Sequence, residues 1–279
     1  MSFRKSGIGA GAVAALLTWA GSACAMPVDY QVGMQPAASP VMERIESFHT
    51  LLLYIITFIC LIVLALLIWI LIRYNQRSNP TPSKTHHNTL LEIAWTVIPV
   101  VILVIIAVPS FKLLYYEADI PKPDVTIKVI GKQWFWTYEY PAQKFTFDSQ
   151  ILSDDQAKAA GKPRLLGVDN AVYVPVNKVV EIDTTGADVI HSWAVPQFGV
   201  KMDAVPGRIN RTWFKATQTG VFYGQCSELC GAKHAFMPIE VHVVSDAEYA
   251  AWLDAAKKNT KVYQSIADAG DGATRQAAQ

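Results

Sequence analysis

Apolar and polar positions divide the chain into three regimes. Near the start, Arg4 and Lys5 precede an apolar run over residues 10–20 and the small triplet Ala23-Cys24-Ala25. Charge, apolar core and an A-x-A site in that order predict a secretory signal over residues 1–25, cut before Met26. Acylation of Cys24 as a lipoprotein is the rival reading, although Gly21 stands where such signals usually carry leucine. After a segment at 26–48 come two long apolar stretches. "LLLYIITFICLIVLALLIWILI" begins at Leu51 and carries no charge, and residues 90–109 carry only Glu92. A span needs about 20 residues at about 1.5 Å each, so both predict membrane helices, at 49–74 and 90–116. Cys60, within the first, reads as an apolar filler. The connection at 75–89 and its flank hold Arg73, Arg77 and Lys84 and no acid, which assigns it to the cytoplasmic side. Both ends of the mature chain then lie outside, as the signal requires.

From Val125 the period changes. "VTIKVIG", "WFWTYEY", "AVYVPV", "KVVEIDT", "VIHSWAV", "RTWFKA", "GVFYGQ" and "IEVHVV" are short β-branched or aromatic runs separated by Gly, Pro, Asn and Asp. They predict an antiparallel sandwich or barrel over residues 117–245. Period two puts Trp134, Trp136 and Tyr138 on one strand face. Ser245 and Glu248 form a capping box that opens a helix near Asp246, and residues 246–279 read as that helix and a flexible tail. The fold class is thus two membrane helices carrying an all-β domain outside the membrane.

Net charge is only +1 and no basic run occurs, which excludes a nucleic-acid partner. The chemistry concentrates in "CSELCGAKHAFM", which begins at Cys226 and holds Cys226, Glu228, Cys230, His234 and Met237, in a chain with four Cys and six His. Three readings compete. A disulfide suits an oxidising compartment, but a CxxxC loop is too short to restrict the unfolded chain much. Structural zinc has no use for Met237. Thiolate, imidazole and thioether together select copper. "ADVIHSWAV" supplies His191 as second imidazole, since His49, His86 and His87 lie at or across the membrane and His242 lies beyond the cluster. One copper would strand a thiol. Two coppers bridged by both thiolates would use every donor, with a backbone carbonyl such as that of Glu228 completing one ion.

"CSELCGAKHAFM", with "DVIHSW", "DAVPGR" and "GKQWFWTYEY", resembles subunit II of the aa3-type cytochrome c oxidases over nearly the whole mature chain. The resemblance implies a cupredoxin domain with a dinuclear copper (CuA) centre held by His191, Cys226, the Glu228 carbonyl, Cys230, His234 and Met237. It implies a magnesium ion on the Glu228 side chain, shared with subunit I, which alone carries the haems. It implies electrons taken from cytochrome c through Trp134 and passed to haem a for oxygen reduction and proton pumping. It implies other oxidase subunits and lipid as partners, and a bacterial inner membrane with the C-terminal domain in the periplasm. It gives Glu92 a place at the mouth of a proton channel, beside its plain reading as part of a capping box with Thr89. It points to Glu139, Asp148, Asp169 and Asp188 as the acids that dock cytochrome c. Lys132 departs from the family's usual His or Tyr. A membrane-anchored copper protein of a nitrous-oxide-reductase kind is the alternative, though it would place a long propeller before the copper motif. A quinol oxidase subunit would lack the copper donors, and a copper chaperone would show a βαβ pattern.

Overall fold

The computed structural model describes Val28 and residues 30–259; the expected signal segment with Cys24, and the tail beyond 259, lie outside them. Two long helices come first, α1 (Pro40–Arg73) and α2 (Thr89–Ala118). Each is long and apolar enough to cross a membrane. α1 starts at Pro40, not near 49, because Ser39 caps it: its hydroxyl accepts the Met42 N–H, Pro40 occupies the first turn, and Glu43 faces the helix N-terminus. At 34 residues it is longer than the span requires, and the extra turns serve the junction with the β-domain. Ala38 N–H donates to Gln197 O at 2.8 Å, the Ser39 hydroxyl donates to Phe198 O at 2.6 Å, and Val41 and Met42 are buried. The end of α2 meets the same domain. Trp213 Nε1 donates to Glu117 O at 3.2 Å, and the Tyr116 ring meets Trp213 edge-on at 5.5 Å.

α2 corrects one expectation. Its cap is Asn88, whose side chain accepts the Leu91 N–H, so the box expected from Thr89 to Glu92 does not form. Asn88 is an equally good acceptor one residue earlier.

The β-domain has ten strands. They are β1 (Val125–Lys132), β2 (Phe135–Tyr140), β3 (Phe145–Ser149), β4 (Val172–Pro175), β5 (Val179–Gly186), β6 (His191–Val195), β7 (Val200–Ala204), β8 (Asn210–Lys215), β9 (Gly220–Cys226) and β10 (Pro238–Val244). They form two five-stranded sheets, ordered β3-β2-β1-β5-β8 and β4-β10-β9-β6-β7. Pairing is mostly antiparallel, but β1 with β5 and β4 with β10 run parallel, which a wholly antiparallel sandwich did not anticipate. β3 and β7 were not among the expected runs; each is a short strand on a sheet edge. Trp136, Tyr138, Trp193, Phe198 and Phe214 fill the space between the sheets, fully buried. Burying a large side chain contributes about 1.5–3 kcal/mol.

The helix α3 (Asp154–Ala159) carries its own capping box, Ser153 with Gln156. The helix α4 (Asp246–Asn259) opens on the expected box, with Ser245 N–H donating to Glu248 Oε2 at 2.9 Å. Antiparallel pairing of β6 with β9 and of β9 with β10 sets the candidate site. It sets Trp193 opposite Cys226 and Pro238 opposite Gln225. The start of β6, the end of β9 and the approach to β10 therefore meet at one end of the second sheet.

Candidate metal centre

His191 is the first residue of β6, Cys226 the last of β9, and Met237 immediately precedes β10. The loop between them turns back on itself, with Cys226 N–H donating to Met237 O at 3.1 Å and Ser227 N–H to Ser192 O at 2.9 Å. Five side-chain donors and one backbone carbonyl are gathered by this closure. Cys226 Sγ lies 3.8 Å from Cys230 Sγ and 3.9 Å from His191 Nδ1. Cys230 Sγ lies 3.5 Å from His234 Nδ1 and 3.9 Å from Met237 Sδ. The Glu228 carbonyl oxygen lies 3.4 Å from Cys226 Sγ. Both thiols are free, so the disulfide reading does not hold here. His191 is wholly buried, Cys226, Cys230 and Met237 nearly so, and His234 is half-buried. Among the described residues, His191, Cys226 and Cys230 form one group of metal-competent donors within 4.8 Å of one another.

The donor set fits copper. Soft sulfur and imidazole nitrogen surround one buried space, and both histidines turn Nδ1 toward a sulfur. The electrostatics point the same way. Burial opposes a Cys226 thiolate, but hydrogen bonding with His191 and neighbouring backbone brings its pKa down to about 6. Burial, and then the charge of Cys226, push Cys230 up to about 12. Two adjacent thiolates without a cation repel each other; a cation between them removes that penalty.

The surroundings hold the donors still. Asp188 Oδ1 lies 2.8 Å from His191 Nε2, on the far side of the ring from Cys226. Burial lowers the basicity of His191, and its contacts with Cys226 and Asp188 more than reverse this. Burial raises Asp188, but bonds from His191 and from the Val189 and Gln133 amides bring it below the usual carboxylate range. Gly131 of β1 faces His191 across the sandwich, and a Cβ there would come within 2.7 Å of the imidazole. Trp136 meets His191 edge-on at 5.9 Å and its indole N–H donates to Met237 O at 3.4 Å. Gln133 Nε2 donates to Cys230 O at 2.8 Å. Gly131, Gln133 and Trp136 were not singled out from sequence as parts of the site, although all three lie within the quoted "GKQWFWTYEY".

Trp134 lies in the turn before β2, not on the strand face expected for it, because β2 begins only at Phe135. Its ring is half-buried against Gly231, and its Nε1–H donates to Cys230 O at 3.3 Å. Gly231 has φ of 122°, a conformation that glycine adopts without strain, and a Cβ there would meet the indole at 3.1 Å. The Glu228 side chain is exposed beside this loop.

The expected docking acids separate. Asp148, Asp169 and Asp188 are exposed. Asp148 accepts from the Thr137 hydroxyl at 2.6 Å, and Asp169 accepts the Gln150 and Asn170 amides, each at 2.7 Å. Glu139 is instead buried, 3% exposed, and pairs with Lys128 at 3.3 Å. Its cross-strand neighbour in the register is that same Lys128, which satisfies the carboxylate inside the sheet and removes it from any docking surface. Glu92, in the first turn of α2, lies apart from the metal centre in the chain's other half and meets His87 Nδ1 at 2.7 Å.

Comparison with known proteins gives the lineage. A family described as cytochrome c oxidase subunit II, periplasmic domain, matches residues 125–244, and its transmembrane-domain counterpart matches residues 27–113. A probable cytochrome c oxidase subunit 2 of Rickettsia bellii (strain RML369-C) is 53% identical over 234 residues, covering 84% of this chain and 86% of that protein. The cytochrome c oxidase subunit 2 of Cereibacter sphaeroides is 46% identical over 251 residues, covering 84% and 83%. The crystal structure of the periplasmic domain of subunit II of cytochrome oxidase of Bradyrhizobium japonicum has 59% identity and a TM-score of 0.48, covering 51% of this chain and 100% of that one. With the transmembrane match preceding the periplasmic-domain match, and 53% identity to a relative covered over 86% of its length, the chain belongs to the cytochrome c oxidase subunit II family.

Proposed function

We propose that this chain is the electron-accepting subunit of a terminal cytochrome c oxidase. It takes electrons from cytochrome c at a dinuclear copper centre and delivers them to haem a of subunit I, where oxygen is reduced to water and protons are pumped. A pair of copper ions held here would supply a store for one electron at a time. His191 and His234 through Nδ1, Cys226 and Cys230 through Sγ, Met237 through Sδ and Glu228 through its carbonyl would hold them. These residues exclude water from the centre and keep it in one geometry. The exposed Glu228 carboxylate is left for a magnesium ion shared with subunit I. Two helices long and apolar enough to cross a membrane support a bacterial inner-membrane location with the sandwich in the periplasm, where other oxidase subunits and lipid would surround them.

One observation carries the electron route: Trp134 donates its indole N–H to the carbonyl of Cys230, itself a proposed ligand, at 3.3 Å. An electron reaching the half-buried ring is one hydrogen bond from the ligand backbone. Asp148, Asp169 and Asp188 are the exposed acids available to a basic cytochrome c. Their effect is mainly on association, screened over about 8 Å at physiological salt.

The test uses the full chain loaded with copper and assembled in its oxidase. The chain should hold two coppers and show thiolate-to-copper absorption; one copper, or preferential zinc, would overturn the reading. Trp134→Ala should keep that absorption and the salt dependence of cytochrome c association. Electron transfer within the docked complex should fall steeply. A Trp134→Ala oxidase with normal transfer would move the route elsewhere.

A further inference from the structure

Asp188 sits in the turn between β5 and β6, three residues before His191. The sequence assigns it only a surface charge for docking. Its contacts are of another kind. Oδ1 faces His191 Nε2 at 2.8 Å and accepts the Val189 amide at 2.7 Å, while Oδ2 accepts the Gln133 amide at 2.7 Å. Gln133 in turn donates from Nε2 to Cys230 O, and the next residue, Trp134, donates to the same carbonyl. One carboxylate thus reaches a ligand from β6 and, through one residue, a ligand of the Cys226–Met237 loop.

We propose that Asp188 is a positioning residue for the metal centre, fixing the His191 ring and the Trp134 turn in one relation through its two carboxylate oxygens. The inference rests on the copper reading above. A hydrogen held on Nε2 by Oδ1 leaves the Nδ1 lone pair facing Cys226, which is how a carboxylate behind an imidazole selects the metal-binding tautomer and raises its basicity. The two oxygens do separate work, and the carboxylate cannot be replaced by an amide without loss. An asparagine offers a single oxygen. If it serves His191 and Val189, its amide N–H groups face the Gln133 N–H; if it serves Gln133, they face the imidazole N–H. Either arrangement sets donor against donor, and the ring or the Trp134 turn must shift. A residue that acted only by charge would show no such difference between its two oxygens.

The experiment compares Asp188→Asn with Asp148→Asn in the copper-loaded, assembled oxidase. Both remove one exposed carboxylate charge, but the side-chain bond of Asp148 goes to Thr137 and not to a metal donor. Asp148→Asn should slow association with cytochrome c and leave the copper absorption and reduction potential in place. Asp188→Asn should in addition shift the thiolate-to-copper band, raise the potential, and release copper to a chelator about 10–100-fold more readily. Asp188→Glu, which keeps both acceptors, should return the band toward that of the parent. If Asp188→Asn matches Asp148→Asn in band, potential and copper retention, Asp188 is a docking acid alone and the proposal fails. If Asp188→Asn takes up no copper, the unfolding midpoint of the copper-free chain decides. A midpoint equal to the parent's supports a loss at the centre, and a collapsed one makes Asp188 a fold residue and overturns the proposal. Failure of the parent chain to hold two coppers would instead sink the copper reading itself.

Discussion

Two buried polar clusters lie within a few residues of each other along β10, and they are satisfied in opposite ways. Glu240, 1% exposed, meets His242 Nε2 at 2.7 Å and Lys162 Nζ at 3.0 Å, and accepts the Val168 amide at 3.0 Å. Every oxygen there faces a donor of opposite or partial positive charge. At the metal centre the groups that face one another are two thiols, a thioether sulfur, a carbonyl and two imidazole nitrogens turned inward by Nδ1. These are mainly electron-pair donors, and contacts of 3.4–3.9 Å between them are not strong hydrogen bonds. Burial is tolerated for a polar group only when something satisfies it. The first cluster is complete from its own residues and holds the loop around α3 to the sheet. The second gathers soft electron-pair donors that a cation would satisfy, so its burial fits a ligand where the first serves the fold.

The sharpest way to break this contrast is Cys226→Ser. It removes one bridging sulfur and puts a hard hydroxyl in its place. The copper-free variant gives the baseline, which includes whatever the contacts of Cys226 with His191 and the nearby backbone contribute without metal. Loading with copper should then separate variant from parent. A ligand at 1,000 times its Kd stabilises the folded chain by about 4 kcal/mol, and the parent should gain on that scale and lose it to a chelator. Cys226→Ser should gain little and show no mixed-valence absorption. Uptake of two coppers with the parent's spectrum would show that the cluster does not need both sulfurs.

Glu240→Gln tests the other side. Burial penalises the Glu240 charge, but His242, the Val168 amide and Lys162 more than compensate, and its pKa lies below the ordinary carboxylate range. Tyr173, its ring tilted against that of His242 at 4.6 Å, completes the groups around it. Because the folded state prefers the ionised form, this contribution is full above the unfolded carboxyl value of about 4.3 and fades as pH falls through the lower folded value. At neutral pH, Glu240→Gln should cost about 2–3 kcal/mol, since Lys162 can still reach water. Its cost should shrink toward pH 3, where the parent also loses the charge, and copper uptake should not change. Urea melts at both pH values give the comparison; an undiminished cost at low pH would mean that shape rather than charge holds the loop.

How much of this was legible in the chain follows from how local each signal is. The donor set of Cys226, Cys230, His234 and Met237 is a motif twelve residues long, and its chemistry can be read without a fold. His191 was reachable only by eliminating other histidines, and Asp188 was seen as a charge because two of its partners, Gln133 in the turn between β1 and β2 and His191 at the start of β6, belong to different sheets. Glu139 misled for a related reason. The resemblance offered it as a docking acid, but β2 is buried from Trp136 to Tyr140 and the neutralising Lys128 comes from β1 through the register. Trp134 was placed on a strand because the aromatic run is continuous in sequence, while the turn that displaces it depends on the β1–β2 pairing. α1 ran past its expected start since hydropathy marks only what lies in lipid, whereas Ser39, Pro40 and Glu43 mark where a helix begins.

The smallest effect on stability is expected at the ionic contact of Glu92 with His87, where burial is lacking. Glu92 Oε1 meets His87 Nδ1 at 2.7 Å, with side chains 39% and 68% exposed. An exposed pair contributes about 0–1 kcal/mol, and the N-cap of α2 belongs to Asn88, so Glu92→Gln should change the unfolding midpoint very little. That quiet background makes the substitution informative about function. If Glu92 is the proton inlet that the family suggests, Glu92→Gln should slow steady-state oxygen consumption by the assembled oxidase. Reduction of the copper centre by cytochrome c, measured by stopped flow, should stay at the parent rate, because Glu92 belongs to the opposite end of the membrane hairpin from the sandwich. Steady-state turnover equal to the parent's would leave Glu92 as a helix-end charge and nothing more. A slowed copper reduction would point instead to a disturbed hairpin, which Asn88→Ala, acting on the cap alone, should then reproduce.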